Sequence, residues 1–390
     1  MAKKKPRGLD DAEDPPTKAT KAKTVKAPKP PKKSRKTKPK APKATDYLKD
    51  LRAMSGVEPE DFAFFSDPLA WTSDVNEWLP TGSIAIDRLL GGGGWPVGRI
   101  SELAAWESVG KSTLVDQSIA MAQSLGAIVM LVDSERARDR AYTEKLGVDL
   151  SSLIVHKAET VEEGFEGIDR LLCVQEAHQA KLAKSKEEVP PMLIAWDSLA
   201  GLPTKAERDG SADDKHVAEA AKRVKLNFRR IAQRIEKARV AFVFTNQFYQ
   251  DIGPFGGLKT AGGSGVRYYT SVRIWLSRTG KLEVSSREVG HTIKARLKKT
   301  RVNTPQPPAE VGLIYGAGIH NAFTLYEWGL THGLDGQHRW VVRRGSWQWF
   351  MFPDGTHEAF QGKWLGFADL LQQRPDIYET LYDAYMAEKG

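Results

Sequence analysis

The feature that most constrains the fold is an apolar run that leads through a loop into a helical pattern. Residues 100–104 form the apolar run and residues 112–125 carry the helical pattern. The loop between them reads Ala105-Trp106-Glu107-Ser108-Val109-Gly110-Lys111-Ser112. A strand, a loop of this composition and a helix form the context of a phosphate-binding loop, because backbone N–H groups at a helix N-terminus cradle phosphates. The sequence therefore predicts a nucleotide-binding α/β core.

Two adjacent residues of the loop match roles in the binding of phosphate and magnesium. A lysine of such a loop carries positive charge to the β- and γ-phosphates, and the following hydroxyl binds Mg²⁺. Lys111 and Ser112 match these two roles. The residues expected to bind the nucleotide here are Glu107, Ser108, Val109, Gly110, Lys111, Ser112 and Thr113. The first glycine of G-x-x-x-x-G-K-[ST] is replaced by Ala105, whose Cβ is expected to narrow the turn.

Two further strand candidates end in carboxylates. The run 192–196 is followed by Asp197, and the run 127–133 is followed by Ser134 and Glu135. Because the carboxyl ends of parallel strands meet at one edge of a sheet, both side chains are expected near the loop. We expect Asp197 to hold Mg²⁺ through water and Glu135 to act as general base for the attacking water. For Asp133, a helix cap or a solvated loop charge is the preferred interpretation.

From residue 81 to 321 the chain alternates apolar runs with longer helical patterns, which predicts a mostly parallel sheet. The strand candidates are 100–104, 127–133, 153–156, 192–196, 240–245, 272–276, 292–297 and 311–315. A second helical pattern covers 161–184. Residues 322–390 hold five of the eleven tryptophans and predict a small C-terminal α+β domain. Residues 46–80, with a helical candidate at 47–54, are expected to serve oligomerisation.

The positive charge of the chain is concentrated at its start. Residues 1–45 hold 16 Lys and Arg against 4 Asp and Glu, together with 8 prolines, and the rest of the chain carries a net charge of −3. This segment is expected to be a disordered basic tail, either a solubilising linker or an arm that attracts nucleic acid. A uniformly basic nucleic-acid coat protein is excluded. One cysteine and the lack of a long apolar run predict a cytoplasmic protein without membrane contact.

At several places the sequence resembles the bacterial RecA recombinase family, in order and in spacing, from about residue 79 to 320. The stretches that carry the resemblance are Gly98-Arg99-Ile100 through Ser112, Asp133 through Tyr142, Lys145 through Asp149, Asp197 through Leu202, Lys205-Ala206-Glu207, Asn246-Gln247, Ile252-Gly253, Gly262-Gly263, Ser271-Val272-Arg273 and Tyr315 through Ile319. The resemblance implies a RecA-like P-loop ATPase core.

The resemblance also implies roles around the nucleotide. Glu135 would be the catalytic glutamate, and Gln247 the glutamine that senses the γ-phosphate and relays its presence to the DNA-binding loops. Tyr142 would stack on the adenine, and Asp139 would hydrogen-bond its amino group. A core-facing position for the Tyr142 ring is the alternative.

By the same resemblance, residues 207–214 would form the first DNA-binding loop and residues 248–261 the second. Where bacterial RecA carries basic residues, the second loop has aromatic ones, so stacking on bases is expected to replace phosphate contacts. Lys222, Lys225 and Arg229 share one helical face, which is either a solvated face or a phosphate track. The DNA-binding residues expected are Lys222, Lys225, Arg229, Phe248, Tyr249, Ile252, Gly262 and Gly263.

Lys299 and Arg301 occupy positions at which family members reach across a subunit interface to the ATP of the neighbour. Two cations two residues apart on an extended segment point to the same side, which suits clamping of one γ-phosphate. An ordinary basic surface strand is the alternative for this pair.

The expected function is that of an ATP- and Mg²⁺-dependent recombinase. Such a protein self-associates into a helical filament on single-stranded DNA, pairs that strand with homologous duplex DNA, and hydrolyses ATP. One alternative is a hydrolysis-deficient RecA-like accessory or annealing protein that modulates another recombinase or polymerase. The replacement by Ala105 favours that alternative, whereas Glu135 and Gln247 oppose it. A hexameric helicase would need a different N-terminal module.

Overall fold

The structure is a computed structural model and describes residues 43–56, 74–182, 189–210, 217–250, 256–333 and 338–388. The chain divides into two compact units, Met1–Thr72 and Ser73–Gly390. In the first unit, helix α1 covers Ala44–Arg52. Residues 1–42 of the expected basic tail lie outside the described residues, and α1 begins three residues before the helical candidate at 47–54.

The second unit alternates strands and helices. Its strands are β1 (Trp78–Leu79), β2 (Trp95–Pro96), β3 (Ile100–Ala105), β4 (Ile128–Asp133), β5 (Ile154–His156), β6 (Met192–Asp197), β7 (Val240–Gln250), β8 (Leu258–Thr260), β9 (Val272–Val284), β10 (Arg287–Thr300), β11 (Ala309–Ile314), β12 (Gly318–Ile319), β13 (Val341–Arg344), β14 (Trp347–Met351) and β15 (His357–Phe360). Its helices are α2 (Ile84–Leu90), α3 (Lys111–Ser124), α4 (Arg140–Lys145), α5 (Val161–Leu182), α6 (Lys205–Asp209), α7 (Val217–Lys237), α8 (Gly263–Tyr269), α9 (Asn321–Gly329), α10 (Lys363–Gln373) and α11 (Pro375–Ala387), with a 3₁₀ turn at Leu199–Gly201.

One large sheet organises this unit. Among the described residues it contains ten strands, in the order β12-β11-β10-β9-β3-β7-β6-β4-β5, and β8 pairs with β7. The pairings of β9, β3, β7, β6, β4 and β5 with one another are parallel. The pairings made by β10, β11, β12 and β8 are antiparallel. The expectation of an α/β fold with a mostly parallel central sheet is confirmed.

The eight strand candidates all correspond to strands, but the hairpin of β9 and β10 is longer than its apolar pattern. The sequence predicted only 272–276 and 292–297, whereas the strands cover 13 and 14 residues. The additional residues are mixed in burial, since 277–279 are exposed whereas Leu282 and His291 are buried, and backbone pairing with register shifts holds them. Strand segments of this kind contain no continuous apolar run, and for this reason the pattern did not predict them.

Helices cover both faces of the sheet. Leu114, Val115 and Ile119 of α3 belong to one buried cluster with side chains of β3, β4 and β6. Phe165 of α5 and Phe228 of α7 belong to the cluster on the opposite face. Because helices cover both faces, the central strands are mostly apolar, and polar side chains such as Glu102 and Asn246 are buried among them.

The C-terminal region consists of α9, a three-stranded antiparallel sheet in the order β13-β14-β15, and helices α10 and α11. Its buried side chains form a third cluster, which includes Tyr326, Phe350 and Phe367. Ile84 of α2 and Leu282 of β9 also belong to this cluster. The boundary predicted at residue 321 coincides with the first residue of α9, and apolar packing continues across it.

Candidate nucleotide-binding site

The predicted phosphate loop lies between β3 and α3. Gly110 precedes the first residue of α3 and has a φ of +115°, a conformation that side chains with a Cβ rarely adopt. A Cβ added to Gly110 would lie 2.4 Å from Cδ1 of Leu313. Glycine is therefore required at this position both by conformation and by space.

Ala105, which replaces the first glycine of the motif, is the last residue of β3. It lies outside the positive-φ region and its side chain is fully buried within the core cluster of that face. The expected narrowing of the turn is corrected by this geometry, because a strand residue with negative φ accommodates a Cβ without strain. Ala105 gives no structural reason for weakened nucleotide binding.

Lys111 is buried, and its ammonium is held by the loop itself. Nζ donates hydrogen bonds to the carbonyl oxygens of Ala105, at 3.3 Å, and Trp106, at 3.0 Å. Burial lowers the pKa of Lys111, and the nearby carboxylates of Asp197, Glu135 and Glu107 oppose that shift. The site thus holds a partly desolvated cation, which strengthens attraction for a phosphate cluster.

Glu135 and Asp197, the two carboxylates predicted at the sheet edge, line the same small cavity. Oγ of Ser198 donates to Oε1 of Glu135 at 2.9 Å. This bond fixes one carboxylate oxygen of Glu135 and leaves Oε2 for a water molecule. Asp197 is buried at the end of β6, and the neighbouring Asp133 accepts from the backbone N–H of Arg136 at 3.1 Å. This bond closes the turn after β4 but caps no helix, because α4 begins at Arg140 and Asp139 is its cap. Asp133 also lines the same small cavity as Asp197 and Glu135.

The side chains present fit a magnesium ion that is bound together with nucleotide phosphates. Ser112 lies in the first turn of the helix beside the loop, and Asp197 supplies a carboxylate from the adjoining strand end. Among the described residues no group of three or more His, Cys, Asp or Glu side chains is placed to hold a metal ion. Mg²⁺ in nucleotide sites characteristically takes one or two protein ligands, and phosphates and waters complete its shell.

These elements surround a cavity of about 700 Å³. Most of the predicted site residues line it, namely Glu107, Ser108, Gly110, Lys111, Ser112, Thr113, Glu135, Tyr142 and Gln247. Val109 is buried beneath the loop. Asp139 and Asp197 instead line a neighbouring cavity of about 190 Å³, which shares Ser112 and Glu135 with the larger one.

Tyr142 and Asp139 lie at the start of α4. Asp139 caps this helix, since its Oδ1 accepts from the backbone N–H of Ala141 at 2.9 Å and of Tyr142 at 3.3 Å. The hydroxyl of Tyr142 lies 3.4 Å from Oγ1 of Thr113. The ring of Tyr142 is thus directed to the cavity rather than to the core. Both hydrogen bonds of Asp139 use Oδ1, so its Oδ2 is left to accept from the adenine amino group.

The far side of the cavity is formed by residues that no sequence motif predicted as site residues. His291, Leu313, Tyr315 and Gly316 also line it. Nε2 of His291 lies 3.1 Å from the carbonyl oxygen of Val109, and the hydroxyl of Tyr315 donates to Oε1 of Glu288 at 2.8 Å. Tyr315 and Gly316 stand in a stretch that carried the family resemblance, whereas no local pattern distinguished His291.

Comparison with known proteins identifies the family of the chain. The family model described as RecA N-terminal domain matches residues 70–320. The chain belongs to the RecA family. It is 31% identical over 307 residues to Protein RecA of Thermotoga neapolitana, an overlap that covers 78% of this chain and 82% of the relative. It is 35% identical over 273 residues to Protein RecA of an Arthrobacter species, which covers 70% and 72%, and 32% identical over 314 residues to Protein RecA of Cutibacterium acnes, which covers 80% and 83%.

In this RecA-family protein, Lys299 and Arg301 converge on the C-terminal end of α8. Nζ of Lys299 donates to the carbonyl oxygens of Arg267, at 2.6 Å, and Thr270. Arg301 Nη1 donates to the carbonyl oxygen of Tyr268 at 3.3 Å. Burial and then the charges of Arg301 and Arg273 lower the pKa of Lys299 to about 8. The two cations lie on the same side of the chain despite the register shift in β10 between residues 297 and 299.

Gln247, the expected γ-phosphate sensor, lies on β7. Its side chain is half-buried at the nucleotide cavity.

The predicted DNA-binding residues of the RecA-family core lie on α7 and before α8. Lys222, Lys225 and Arg229 are exposed on α7, whereas Val224 and Phe228 on its other face are buried. Gly262 has a φ of +85° and precedes α8, and a Cβ there would lie 2.5 Å from Cγ2 of Val266. Gly263 follows it with a φ of +65°.

The two aromatic residues of the expected second DNA-binding loop occupy different environments. Phe248 is 8% exposed and packs edge-to-face on Trp106 at 5.8 Å and on Trp275 at 4.8 Å between ring centroids. Tyr249 is 45% exposed. The expectation that both rings stack on bases is corrected for Phe248, because its ring belongs to the core. Ile252 and residues 211–214 of the first loop lie outside the described residues.

The described part of the chain contains no helix with the length and apolarity that a membrane span requires.

Proposed function

We propose that this protein is an ATP-dependent DNA recombinase that forms filaments on single-stranded DNA and promotes homologous pairing and strand exchange. The observation that carries the proposal is the convergence of Lys111, Glu135 and Gln247 on one cavity at the edge of the parallel sheet. Gln247 is followed directly by the strand residues that pair with β8. One strand therefore runs from the nucleotide to the proposed DNA-binding segment.

A buried polar network supports coupling between these two regions. Nδ2 of Asn246 donates to Oε1 of Glu102 at 2.9 Å and to the carbonyl oxygen of Ala261 at 3.0 Å. Oδ1 of the same side chain accepts from the backbone N–H of Gln247 at 2.9 Å. Displacement of Gln247 by a γ-phosphate would thus be transmitted to the segment before Gly262, since buried hydrogen bonds are costly to leave unmade.

The proposed chemistry is transfer of the γ-phosphoryl group to water. Oε2 of Glu135 takes a proton from the attacking water while the bond between the γ-phosphorus and the bridging oxygen of ADP breaks. Lys111 stabilises the charge that moves onto the β- and γ-phosphate oxygens. Ser112 and Asp197 would hold Mg²⁺, which neutralises phosphate charge when bound. Positioning and electrostatics supply the rate enhancement.

The proposed assembly places the nucleotide of one subunit against Lys299 and Arg301 of the next. In the single chain, both side chains donate hydrogen bonds to backbone carbonyl oxygens at the end of α8. These bonds hold the two cations together, so that a neighbouring γ-phosphate meets an ordered pair of charges. Tyr249, Lys222, Lys225 and Arg229 are proposed as contacts to single-stranded DNA, through stacking for the tyrosine and phosphate attraction for the cations.

A strand-exchange assay tests the proposal. Circular single-stranded DNA and homologous linear duplex DNA are mixed with the protein and ATP, a slowly hydrolysed ATP analogue, or no nucleotide. We expect joint molecules with either nucleotide and filaments in electron micrographs, and neither product with Lys111→Ala. Nucleotide binding without hydrolysis or exchange would instead support an accessory protein of RecA ancestry.

A further inference from the structure

Arg138 lies between two buried carboxylates beside the nucleotide cavity. Its Nη2 donates to Oδ2 of Asp197 at 2.7 Å, and its Nη1 forms an ion pair with Oδ1 of Asp116. The side chains of Arg138, Asp116 and Asp197 are 13%, 5% and 4% exposed. We call these three residues the Asp116–Arg138–Asp197 cluster.

The cluster is built from three separate elements of the site. Asp116 lies one turn after Ser112 on α3, so both residues face the same side of that helix. Asp197 ends β6, and Arg138 belongs to the segment between β4 and α4. All three side chains line the cavity of about 190 Å³ that also borders Ser112 and Glu135.

Every carboxylate oxygen of the cluster has a hydrogen-bond donor. Oγ1 of Thr143 donates to Oδ2 of Asp116 at 3.1 Å, and Oγ1 of Thr245 donates to Oδ1 of Asp197. Both carboxylates of the cluster are therefore fully hydrogen-bonded, and the cluster has a net charge of −1. Its guanidinium already neutralises part of the charge of Asp197, the carboxylate proposed to hold Mg²⁺ through water.

Charges buried together act strongly on a divalent cation nearby, because the surrounding protein screens them less than water does. Arg138 makes the potential near Asp197 less negative and so opposes the entry of Mg²⁺. Asp116 pairs with the same guanidinium, and its negative charge makes the potential near Asp197 more negative again. Arg138 and Asp116 thus have opposite effects on the binding of Mg²⁺, although they form an ion pair with each other.

We propose that the Asp116–Arg138–Asp197 cluster sets the Mg²⁺ concentration at which this protein binds ATP, with Arg138 raising the requirement and Asp116 lowering it. The inference rests on the proposed function in so far as the site binds ATP with magnesium. Arg138 and Asp116 are positioning residues, since they act on the ion through Asp197.

The charge of the cluster can be varied without large changes in shape. Arg138→Met gives a net charge of −2, Asp116→Asn gives 0, and the double variant returns to −1. A fluorescent ATP analogue is titrated at pH 8 without DNA, and the Mg²⁺ concentration for half-maximal binding is measured at constant ionic strength. We expect this concentration to fall about tenfold for Arg138→Met and to rise about tenfold for Asp116→Asn. The double variant is expected to lie close to the wild type.

The opposite signs separate this proposal from a purely structural role. Loss of packing alone would shift both single variants in the same direction, and that result would overturn the inference. Arg138→Lys keeps the charge and is expected to stay closer to the wild type than Arg138→Met. Melting temperatures identify folded variants, and Asp116→Asn is expected to melt above Arg138→Met and the double variant, because it alone keeps the buried carboxylate of Asp197 paired with the guanidinium of Arg138.

If Arg138→Met does not fold, Asp116→Asn and the double variant still decide the question. Equal Mg²⁺ requirements in these proteins and the wild type would overturn the inference while leaving ATP binding intact. A wild-type protein that binds no nucleotide at any Mg²⁺ concentration would instead contradict the proposed function.

Discussion

Ala105 pairs with Gln247 in parallel register, so the first residue of the phosphate loop, which ends β3, lies beside the proposed γ-phosphate sensor on β7. Ala105 is fully buried, whereas Gln247 borders the nucleotide cavity. The close pairing of the two strands fixes the start of the loop relative to the sensor. A displacement of β3 at Ala105 would therefore also displace β7 at Gln247, and the reverse.

Replacing Ala105 by glycine tests whether the unusual motif limits activity. Because Ala105 has a negative φ and lies in a strand, Ala105→Gly should leave ATP hydrolysis nearly unchanged. It should lower the free energy of unfolding by about 1 kcal/mol, since glycine loses more conformational freedom on folding. Turnover and thermal melting check both. In contrast, Gly110→Ala should abolish nucleotide binding, and a large gain in turnover by Ala105→Gly would show that the alanine impairs the loop.

Replacing Glu135 by glutamine separates binding from hydrolysis. The side-chain amide of Glu135→Gln can still accept a hydrogen bond from Ser198 but cannot take a proton from water, so turnover should fall by roughly 10²–10⁴-fold. Affinity for ATP, measured with a fluorescent analogue, should change little. Asp133→Asn is the matched control, because its amide oxygen can still accept the hydrogen bond from the backbone N–H of Arg136 and no proton transfer is proposed for it, so hydrolysis should persist. Wild-type turnover in Glu135→Gln would remove the general-base role.

The two aromatic residues after Gln247 should respond oppositely to truncation. Phe248→Ala removes a ring buried between Trp106 and Trp275 and should cost about 3–5 kcal/mol of unfolding free energy. Tyr249→Ala should leave the melting temperature close to that of the wild type and weaken single-stranded DNA binding by roughly 1–3 kcal/mol. Melting curves and DNA titrations on both variants check this. Unchanged DNA affinity in Tyr249→Ala would exclude the tyrosine as a stacking contact.

The low pKa of Lys299 predicts a pH dependence. With a pKa of about 8 in the single chain, Lys299 loses its proton as pH rises through 8, whereas the unfolded chain keeps it until about 10.5. Between these values the unfolded state binds more protons, so the contribution of Lys299 to folding stability rises with pH. The proposed phosphate clamp needs the charged form, and DNA-stimulated hydrolysis should therefore fall above pH 8.

Arginine at this position keeps its charge throughout that range. Lys299→Arg should therefore move the alkaline fall in hydrolysis to higher pH, as measured by pH–rate profiles with saturating DNA. Lys298→Arg is the control, because the Lys298 ammonium lies over the Trp275 ring, 4.3 Å from its centroid, and has no proposed role at the phosphate. Identical profiles for the wild type and Lys299→Arg would contradict the clamp.

Asp87 predicts a second pH effect, on stability alone. Burial raises its pKa from 3.8 to about 7, although its Oδ1 accepts from the backbone N–H of Thr81 at 2.8 Å. The folded state holds this proton more tightly, so stability is fully present below pH 3.8 and is lost as pH rises to 7. Asp87→Asn keeps the acceptor without the charge, and should stabilise the protein at pH 8 by roughly 1–4 kcal/mol.

Denaturant titrations at pH 4 and pH 8 measure this difference. The advantage of Asp87→Asn should disappear near pH 4, where the wild-type carboxyl is protonated in the folded state. Asp87→Ala, which lacks the acceptor for Thr81, should instead destabilise the protein at both pH values. An equal effect of Asp87→Asn at the two pH values would show that Asp87 does not titrate in this range.

Local pattern was sufficient for most of the fold. Burial on both faces makes the central parallel strands mostly apolar, and apolar runs located all eight strand candidates. The phosphate loop was also readable, because Gly110, Lys111 and Ser112 are adjacent in sequence and their backbone geometry depends mainly on near neighbours. The outer parts of β9 and β10 were not predicted, since backbone pairing holds them without an apolar run.

The sequence by itself determined the core fold class, the nucleotide loop and the carboxylates at the strand ends, because these follow from residue order and from which side chains avoid water. Only the tertiary structure decided what surrounds them. His291 reaches the loop from 182 residues away, Arg138 bridges Asp116 and Asp197, and the ring of Phe248 enters the core while Tyr249 stays exposed. Such contacts depend on strand order and side-chain packing between distant segments, for which no local periodicity provides a signal.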